Sequence, residues 1–430
     1  MEPQTTAEEE EKRDEEAAAA AIVRHMYSAA MCVAADAGKQ RSGPRASKRG
    51  GTIDEPQFDW LRHEDQLKAY QFKRRYRVTK DAFHRLLGKV APHLPRRNMQ
   101  KASASRRAGA ISNEVKLAVT LRMLAGAAAD DLWHIYRPLS RGSVYMIFWE
   151  CVHAIEVALP CAWNSVGAMK DPELLKMLEA RARARSRKQV WAGQVGALDG
   201  VIFKQKDPGN RDGKQRRHHV ARKDMHGILC QAIADVDRRI LWFNMSYVGT
   251  THDSLAFEGT ALGQAVYNGE LPAPYFLGAD NAYVQTDSVI GPGGGSDYDF
   301  EQSSNRMTVE CTFGILVRRW GVLWRPLEFD PDRRTAVISA CIRLHNFCTE
   351  ERLDTTDLED LPIDAHGRVE VSEGRWRQEP VFDREGRPVQ YLDTGATPAP
   401  HRAGVVLKRR QELVDAVHDA GLKRVVRPKH

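Results

Sequence analysis

Asp199, Asp280 and Glu310 each stand at the edge of an apolar segment, and together they suit one kind of chemistry. Asp199 follows Val195-Gly196-Ala197-Leu198, and Asp280 follows Tyr275-Phe276-Leu277-Gly278-Ala279, so two strand-like segments each deliver a carboxylate at their tip. Glu310 lies in a helical pattern from Met307 to Leu316, where Val309, Phe313 and Leu316 mark the inner face and Glu310 sits near its edge. Hard divalent cations prefer oxygen ligands, and two such ions ~4 Å apart activate a water and stabilise the leaving oxygen of a phosphodiester. Three converging carboxylates suffice to hold them, which points to a two-metal nuclease site.

The elements that must position these acids follow from the pattern. After Val190 the chain reads as strands over residues 194–204, 226–236 and 240–248, then a helix over 253–267, then a strand over 275–279. This β-β-β-α-β order is that of the ribonuclease H-like fold, a mixed sheet flanked by helices in which the first and fourth strands run side by side and a later helix brings the last acid alongside. A further amphipathic helix is expected over 333–349, with Val337, Ala340, Cys341 and Leu344 inward. Upstream, residues 58–159 have helical periodicity, as in Phe83, Leu86, Leu87 and Val90. Three segments near 113–125, 129–136 and 141–159, joined by short turns, suit a helix-turn-helix module. Only Arg141 and Ser143 near the start of the third could reach bases, so a packing domain without groove contact stands beside that reading. The fold class expected is α/β, with a ribonuclease H-like catalytic core and an N-terminal all-α, helix-turn-helix-like domain.

The expected organisation is a disordered tail over 1–53, the helical domain over 54–160, a basic linker over 161–190, the core over 191–350, and a mostly disordered tail over 351–430. A transient helix over 14–35 and a short basic helix over 405–426 are the exceptions expected within the tails. With 430 residues and 42% hydrophobic content the chain can bury a sizeable core. No apolar run approaches the ~20 residues of a membrane span, and the acidic N-terminus is unlike a signal peptide, so neither a membrane nor secretion is expected. Seven cysteines lie scattered without C-x-x-C spacing, which fits a reducing compartment and not a zinc finger.

The formal net charge of +7 is modest, so placement matters more than the total. Lys204, Lys206, Arg211, Lys214, Arg216, Arg217, Arg222 and Lys223 crowd one hairpin against only Asp207 and Asp212, and are expected to grip DNA phosphates. His218 and His219 in that hairpin lack spaced Cys partners for zinc. The run Arg181 to Lys188 reads equally as a solvated linker helix and as a phosphate-binding or import segment.

Six segments in order resemble transposases of the PIF/Harbinger type, the DDE superfamily endonucleases, over roughly residues 74–349. They are Gly196-Ala197-Leu198-Asp199-Gly200; Arg222-Lys223 with His226 to Asp237; Thr251-His252-Asp253-Ser254; Leu277-Gly278-Ala279-Asp280-Asn281-Ala282-Tyr283; Asn305-Arg306 through Val309-Glu310-Cys311-Thr312-Phe313-Gly314 to Arg319-Trp320; and Leu344-His345-Asn346-Phe347. The resemblance implies a catalytic triad of Asp199, Asp280 and Glu310 binding two Mg²⁺ or Mn²⁺ ions, with DNA cleavage by water and strand transfer by a 3′-hydroxyl. It also implies a nuclear protein, often served by a Myb-like DNA-binding partner. Transposition needs two DNA ends held together, so a homodimer is expected. Val317 and Arg318 stand where the family commonly has a lysine, and both tails fall outside the match.

Other residues have two readings. His252 and Asp253 read as a fourth ligand pair, as a proton shuttle or, the preferred reading, as a helix start with an N-cap at Asp253-Ser254. Arg306, one turn before Glu310, is placed to pair with it or to touch DNA. Trp320 and Trp324 read as core. The competing functions are a domesticated, catalytically silent DNA-binding or regulatory protein on the same fold, and a metal hydrolase acting on small substrates.

Overall fold

In the computed structural model the described residues are 58–95, 110–207, 219–220, 225–353 and 407–424. They fall within one compact unit, Glu55–His430; the other, Met1–Asp54, lies outside the described residues. So do the expected N-terminal tail with its transient helix, most of the expected C-terminal tail, and Arg211, Lys214, Arg216, Arg217, Arg222 and Lys223 of the basic hairpin.

Among the described residues the helices upstream are α1 (Trp60–Gln66), α2 (Ala69–Tyr76), α3 (Lys80–Val90), α4 (Asn113–Leu124), α5 (Ala129–Ile135) and α6 (Arg141–Ala158). Side-chain caps start several of them. Thr79 accepts from Ala82 N–H, Ser112 from Val115 N–H and Ser140 from Ser143 N–H, each satisfying a donor the helix leaves orphaned. α4 to α6 occur where the sequence places them. α6 buries Val144, Ile147, Phe148, Cys151 and Ile155, as its periodicity requires, while Tyr145 and Met146 stay exposed.

The short α7 (Val166–Met169) and α8 (Pro172–Arg185) lead into the sheet. Its strands are β1 (Gln194–Lys204), β2 (His219–Val220), β3 (Met225–Ala234), β4 (Ile240–Val248), β5 (Phe276–Gly278) and β6 (Val289–Ile290). The order is β4-β3-β1-β5-β6, with β2 pairing the start of β3. β1 pairs antiparallel with β3 and parallel with β5, so the first and fourth long strands are neighbours, as the strand order requires. The single helix expected over 253–267 is two, α9 (Asp253–Glu258) and α10 (Ala261–Tyr267), because Thr260 Oγ1 caps Gly263 N–H and starts a new helix. Then come α11 (Ser296–Arg319), α12 (Pro331–Glu350) and α13 (Lys408–Asp419).

Both faces of the sheet are covered. On one, Ala197, Val201 and Phe203 of β1 share a core with Val309, Phe313 and Leu316 of α11, with α12 and with the upstream helices. On the other, Val195, Leu198 and Ile233 pack with Leu175 and Leu178 of α8 and with α9 and α10. Arg319 joins the layers: its guanidinium donates to Arg77 O at 3.2 Å and Leu353 O at 2.7 Å. Trp320 is fully buried, in keeping with a core role, and Trp324 donates from Nε1 to Val317 O.

The segment Leu344-His345-Asn346-Phe347 fastens α12 to the start of β4. Asn346 accepts from Ile240 N–H at 2.8 Å and donates to Ile240 O at 2.7 Å, and His345 Nε2 bonds Arg238 O. Burial lowers the His345 pKa to about 4, so its ring is neutral near pH 7 and holds the turn between β3 and β4 without charge.

Candidate active site

The parallel pairing of β1 with β5 sets the geometry. Ala197 lies opposite Gly278. Two residues further on stand Asp199 and Asp280; because side chains alternate along a strand, the step of two keeps Asp199 on the face of Ala197, while Asp280 follows the end of β5 near enough for its charge to act on Asp199. β5 ends at Gly278 and Asp280 lies in the turn that follows, but β1 runs on to Lys204. Asp199 is therefore interior to its strand and not at its tip. What opens beside it is the end of β5.

α11 crosses the same face of β1, and its inward residues Val309, Phe313 and Leu316 fix its rotation. A stripe of polar residues one turn apart, Gln302, Arg306 and Glu310, is thereby turned toward the acids. Buried Gln302 donates from Nε2 to Ala279 O at 2.7 Å, clamping the residue directly before Asp280. Arg306 Nη1 lies 2.6 Å from Glu310 Oε1 and 3.4 Å from Asp199 Oδ2, so one guanidinium nitrogen joins the helix acid to the strand acid. Asp199 also accepts from Gly200 N–H at 2.8 Å, and Asp280 from Ala282 N–H at 2.9 Å.

Asp199 has an unusual acidity. Burial raises its pKa from the ordinary 3.8 to about 7; Arg306 pulls it down, while Asp280 and Glu310 push it further up. Both other acids are therefore near enough for their charge to be felt. One guanidinium offsets only part of the cost of a largely buried carboxylate.

A second layer supports the site from β3. Gln231 pairs with Gly200 across the antiparallel ladder, donates from Nε2 to Asp253 Oδ1 at 2.7 Å and accepts from Tyr283 Oη at 2.5 Å. This corrects the capping reading of Asp253 and Ser254. His252 occupies the N-cap of α9 without a side-chain cap bond, its Nδ1 lies 2.9 Å from Ser254 Oγ, and Asp253 is turned to Gln231. Gly200 makes room for this: a Cβ there would lie 2.2 Å from Asp253 Oδ1 and 2.7 Å from Gln231 Nε2.

Gln302, Gln231 and Tyr283 had no sequence signal of their own, although Gln231 and Tyr283 lie within the segments that carry the resemblance, since a neutral side chain shows no local sign of its distant partner. Of the expected phosphate-gripping residues, Lys204 closes β1 and Lys206 follows it, its backbone N–H bonded to Leu327 O. In the basic run before the sheet, Arg181 and Arg185 pair with Asp237 at 3.2 and 3.6 Å, and Arg187 pairs with buried Glu301.

The acids supply only oxygen donors, the set a hard divalent ion selects. Arg306 already places positive charge between Asp199 and Glu310. Among the described residues, no group of three acidic, His or Cys side chains is gathered closely enough to hold an ion as it stands. The donor set fits; the guanidinium lies between its members.

Comparison with known proteins agrees with this architecture. Residues 198–346 match the family model described as DDE superfamily endonuclease, a span that begins just before Asp199 and contains Asp280 and Glu310. Over this span the chain is similar to DDE superfamily endonucleases. Curated proteins similar to this chain include ones named "Putative nuclease HARBI1": 23% identical over 204 residues in Bos taurus and 22% over 204 in Homo sapiens, each covering 44% of this chain and 57% of the relative, and 24% over 206 in Xenopus laevis, covering 44% and 58%. The chain thus spans little more than half of each relative's length. No solved structure gives a significant match. Endonucleases of this superfamily generally use divalent metals. Among the described residues no helix is long and apolar enough to cross a membrane.

Proposed function

We propose that this protein is a metal-dependent DNA endonuclease of the transposase type. The observation that carries the reading is the convergence of Asp199 from β1, Asp280 from the turn after β5 and Glu310 from α11 on one face of the sheet, with Arg306 spanning two of them. Asp199, Asp280 and Glu310 would hold Mg²⁺ or Mn²⁺, two ions in the full site. When bound, such ions supply an activated water and stabilise the leaving oxygen of the phosphodiester.

The chain's own residues do the positioning. Gln302 holds the backbone before Asp280, and the Tyr283–Gln231–Asp253 network backs the strand beside Gly200. Burial keeps Asp199 short of compensating charge, so its carboxylate gains most from a cation. DNA is the substrate such a domain implies, and the cationic segment that follows β1 in sequence is the one best placed to grip it. Strand transfer by a 3′-hydroxyl would use the same acids. A nuclear location, a homodimer that pairs two DNA ends, a Myb-like targeting partner, and groove contact through α5 and α6 belong to this reading as well.

The test is cleavage of supercoiled plasmid by the purified chain with Mg²⁺, Mn²⁺ or EDTA, beside Asp280→Ala. Nicking that needs the metal and is lost in the variant supports the reading. DNA binding without nicking in either metal would favour the silent, regulatory protein on the same fold.

A further inference from the structure

We propose that Arg306 is a built-in counter-cation: it holds the acid cluster together before a divalent ion arrives and is released to a phosphate of the DNA when the ion takes its place. The inference rests on the metal-dependent reading above and adds to it a residue with two alternating partners.

Three observations carry it. First, one nitrogen of Arg306 serves two of the three acids, at 2.6 Å from Glu310 and 3.4 Å from Asp199, so it stands where an ion shared by these oxygens would have to stand. A guanidinium has only donors and cannot itself ligate a cation. Asp199 Oδ2 can therefore serve Arg306 or a metal, but not both in this arrangement. Second, the Arg306 side chain is only 17% exposed, while Glu310 is 46% exposed. The pair thus runs from a sheltered end at Asp199 to an open end at Glu310, which is the direction in which a displaced guanidinium can travel. Third, the helix beneath it is pinned independently. Gln302, one turn earlier, is bonded to Ala279 O, and Val309 and Phe313 are locked in the core, so α11 need not move when Arg306 does.

Charge accounts for the direction of the exchange. With all three carboxylates ionised, Arg306 leaves the group net negative. Two divalent ions would make it net positive, and a guanidinium retained among them would be repelled. A scissile phosphate brings negative charge to the same place, and a planar fork of donors suits its oxygens. Arg306 is thus a positioning residue for the empty site and a phosphate contact for the loaded one.

The experiment is Mn²⁺ titration of the full chain without DNA, by calorimetry, for the wild type, Asp199→Asn, Arg306→Gln, Arg306→Lys and the double variant Asp199→Asn/Arg306→Gln, with circular dichroism to check folding. Arg306→Gln should bind Mn²⁺ about tenfold more tightly than the wild type, because the ion no longer displaces a charge-assisted bond. Arg306→Lys, which keeps a charge but loses the fork, should fall between the two. The double variant should lose the gain. The second readout is DNA affinity against salt in Ca²⁺: Arg306→Gln should lower the slope of log K on log salt by about one phosphate contact. Equal or weaker Mn²⁺ binding by a folded Arg306→Gln, where Asp199→Asn alone abolishes binding, overturns the counter-cation and leaves the metal site standing. No Mn²⁺ binding in the wild type or in Arg306→Gln overturns both.

Discussion

Replacing Asp199 by Asn should make the metal-free protein more stable, although the acid is proposed to be indispensable for activity. The folded state raises the Asp199 pKa from 3.8 to about 7, so the native protein binds a proton that the unfolded chain releases between those values. Stability contributed by the neutral acid is therefore lost as pH rises from about 4 to about 7, and above that the penalty levels off. A shift of about three units corresponds to a ceiling of ~4 kcal/mol at pH 8 and ~1.5 kcal/mol at pH 5. Asn imitates the protonated acid, and its side-chain oxygen can still accept from Gly200 N–H. Urea unfolding in EDTA should find Asp199→Asn more stable at pH 8, with its advantage shrinking by roughly 2–3 kcal/mol between pH 8 and pH 5. A variant no more stable than the wild type at pH 8, or an advantage independent of pH, would refute the claim that burial leaves this carboxylate under-compensated.

Three further outcomes follow from particular contacts. Gly200→Ala forces a Cβ to 2.2 Å from Asp253 Oδ1, so it should cost roughly 1–3 kcal/mol in urea unfolding and depress cleavage; a silent substitution would mean that the Gln231–Asp253 bond does not support the site. Tyr283→Phe leaves Gln231 Oε1 without its buried donor and should cost about 1–3 kcal/mol, whereas an unchanged unfolding midpoint would argue against the network. Ending the chain at residue 406 removes α13, whose Leu413 and Val417 pack with Trp191, Phe276 and Tyr298 and whose Arg410 bonds Gln285 in the loop after Asp280. Each buried aliphatic is worth about 1.5–3 kcal/mol before the entropy of ordering the helix is subtracted, so a clear drop in thermal midpoint is expected. An unshifted midpoint would show that α13 is not held in solution.

The strongly periodic elements were legible in the sequence for a physical reason. β1 is a mostly buried apolar run and β4 a half-buried, aromatic-rich one, and both occupy the residues expected of them; α4, α5 and α6 have helical spacing and begin where expected, α4 and α6 behind serine caps. The acids were legible because an ionisable residue beside an apolar run is costly to place without a purpose. What stayed hidden depends on partners distant in sequence. β6 is two residues long and exists only because β5 pairs with it. α11 extends to Ser296, well before its apolar pattern begins, since its first turns hold Tyr298, which packs with α13, and the polar Gln302, which bonds Ala279 O. The turn of Asp253 toward Gln231 could not be read from a local pattern that resembles a helix cap. The docking of α13 was invisible too, because its few apolar residues acquire meaning only against Trp191 and Tyr298.

The most direct test of the three-acid metal centre is anomalous scattering from crystals of the chain soaked in Mn²⁺ with a short DNA duplex. The account predicts manganese peaks about 2.0–2.2 Å from carboxylate oxygens of Asp199 and Asp280, with Glu310 contributing and Arg306 withdrawn from Asp199. Manganese bound elsewhere, with Arg306 still seated between Asp199 and Glu310 at saturating ion, would contradict it.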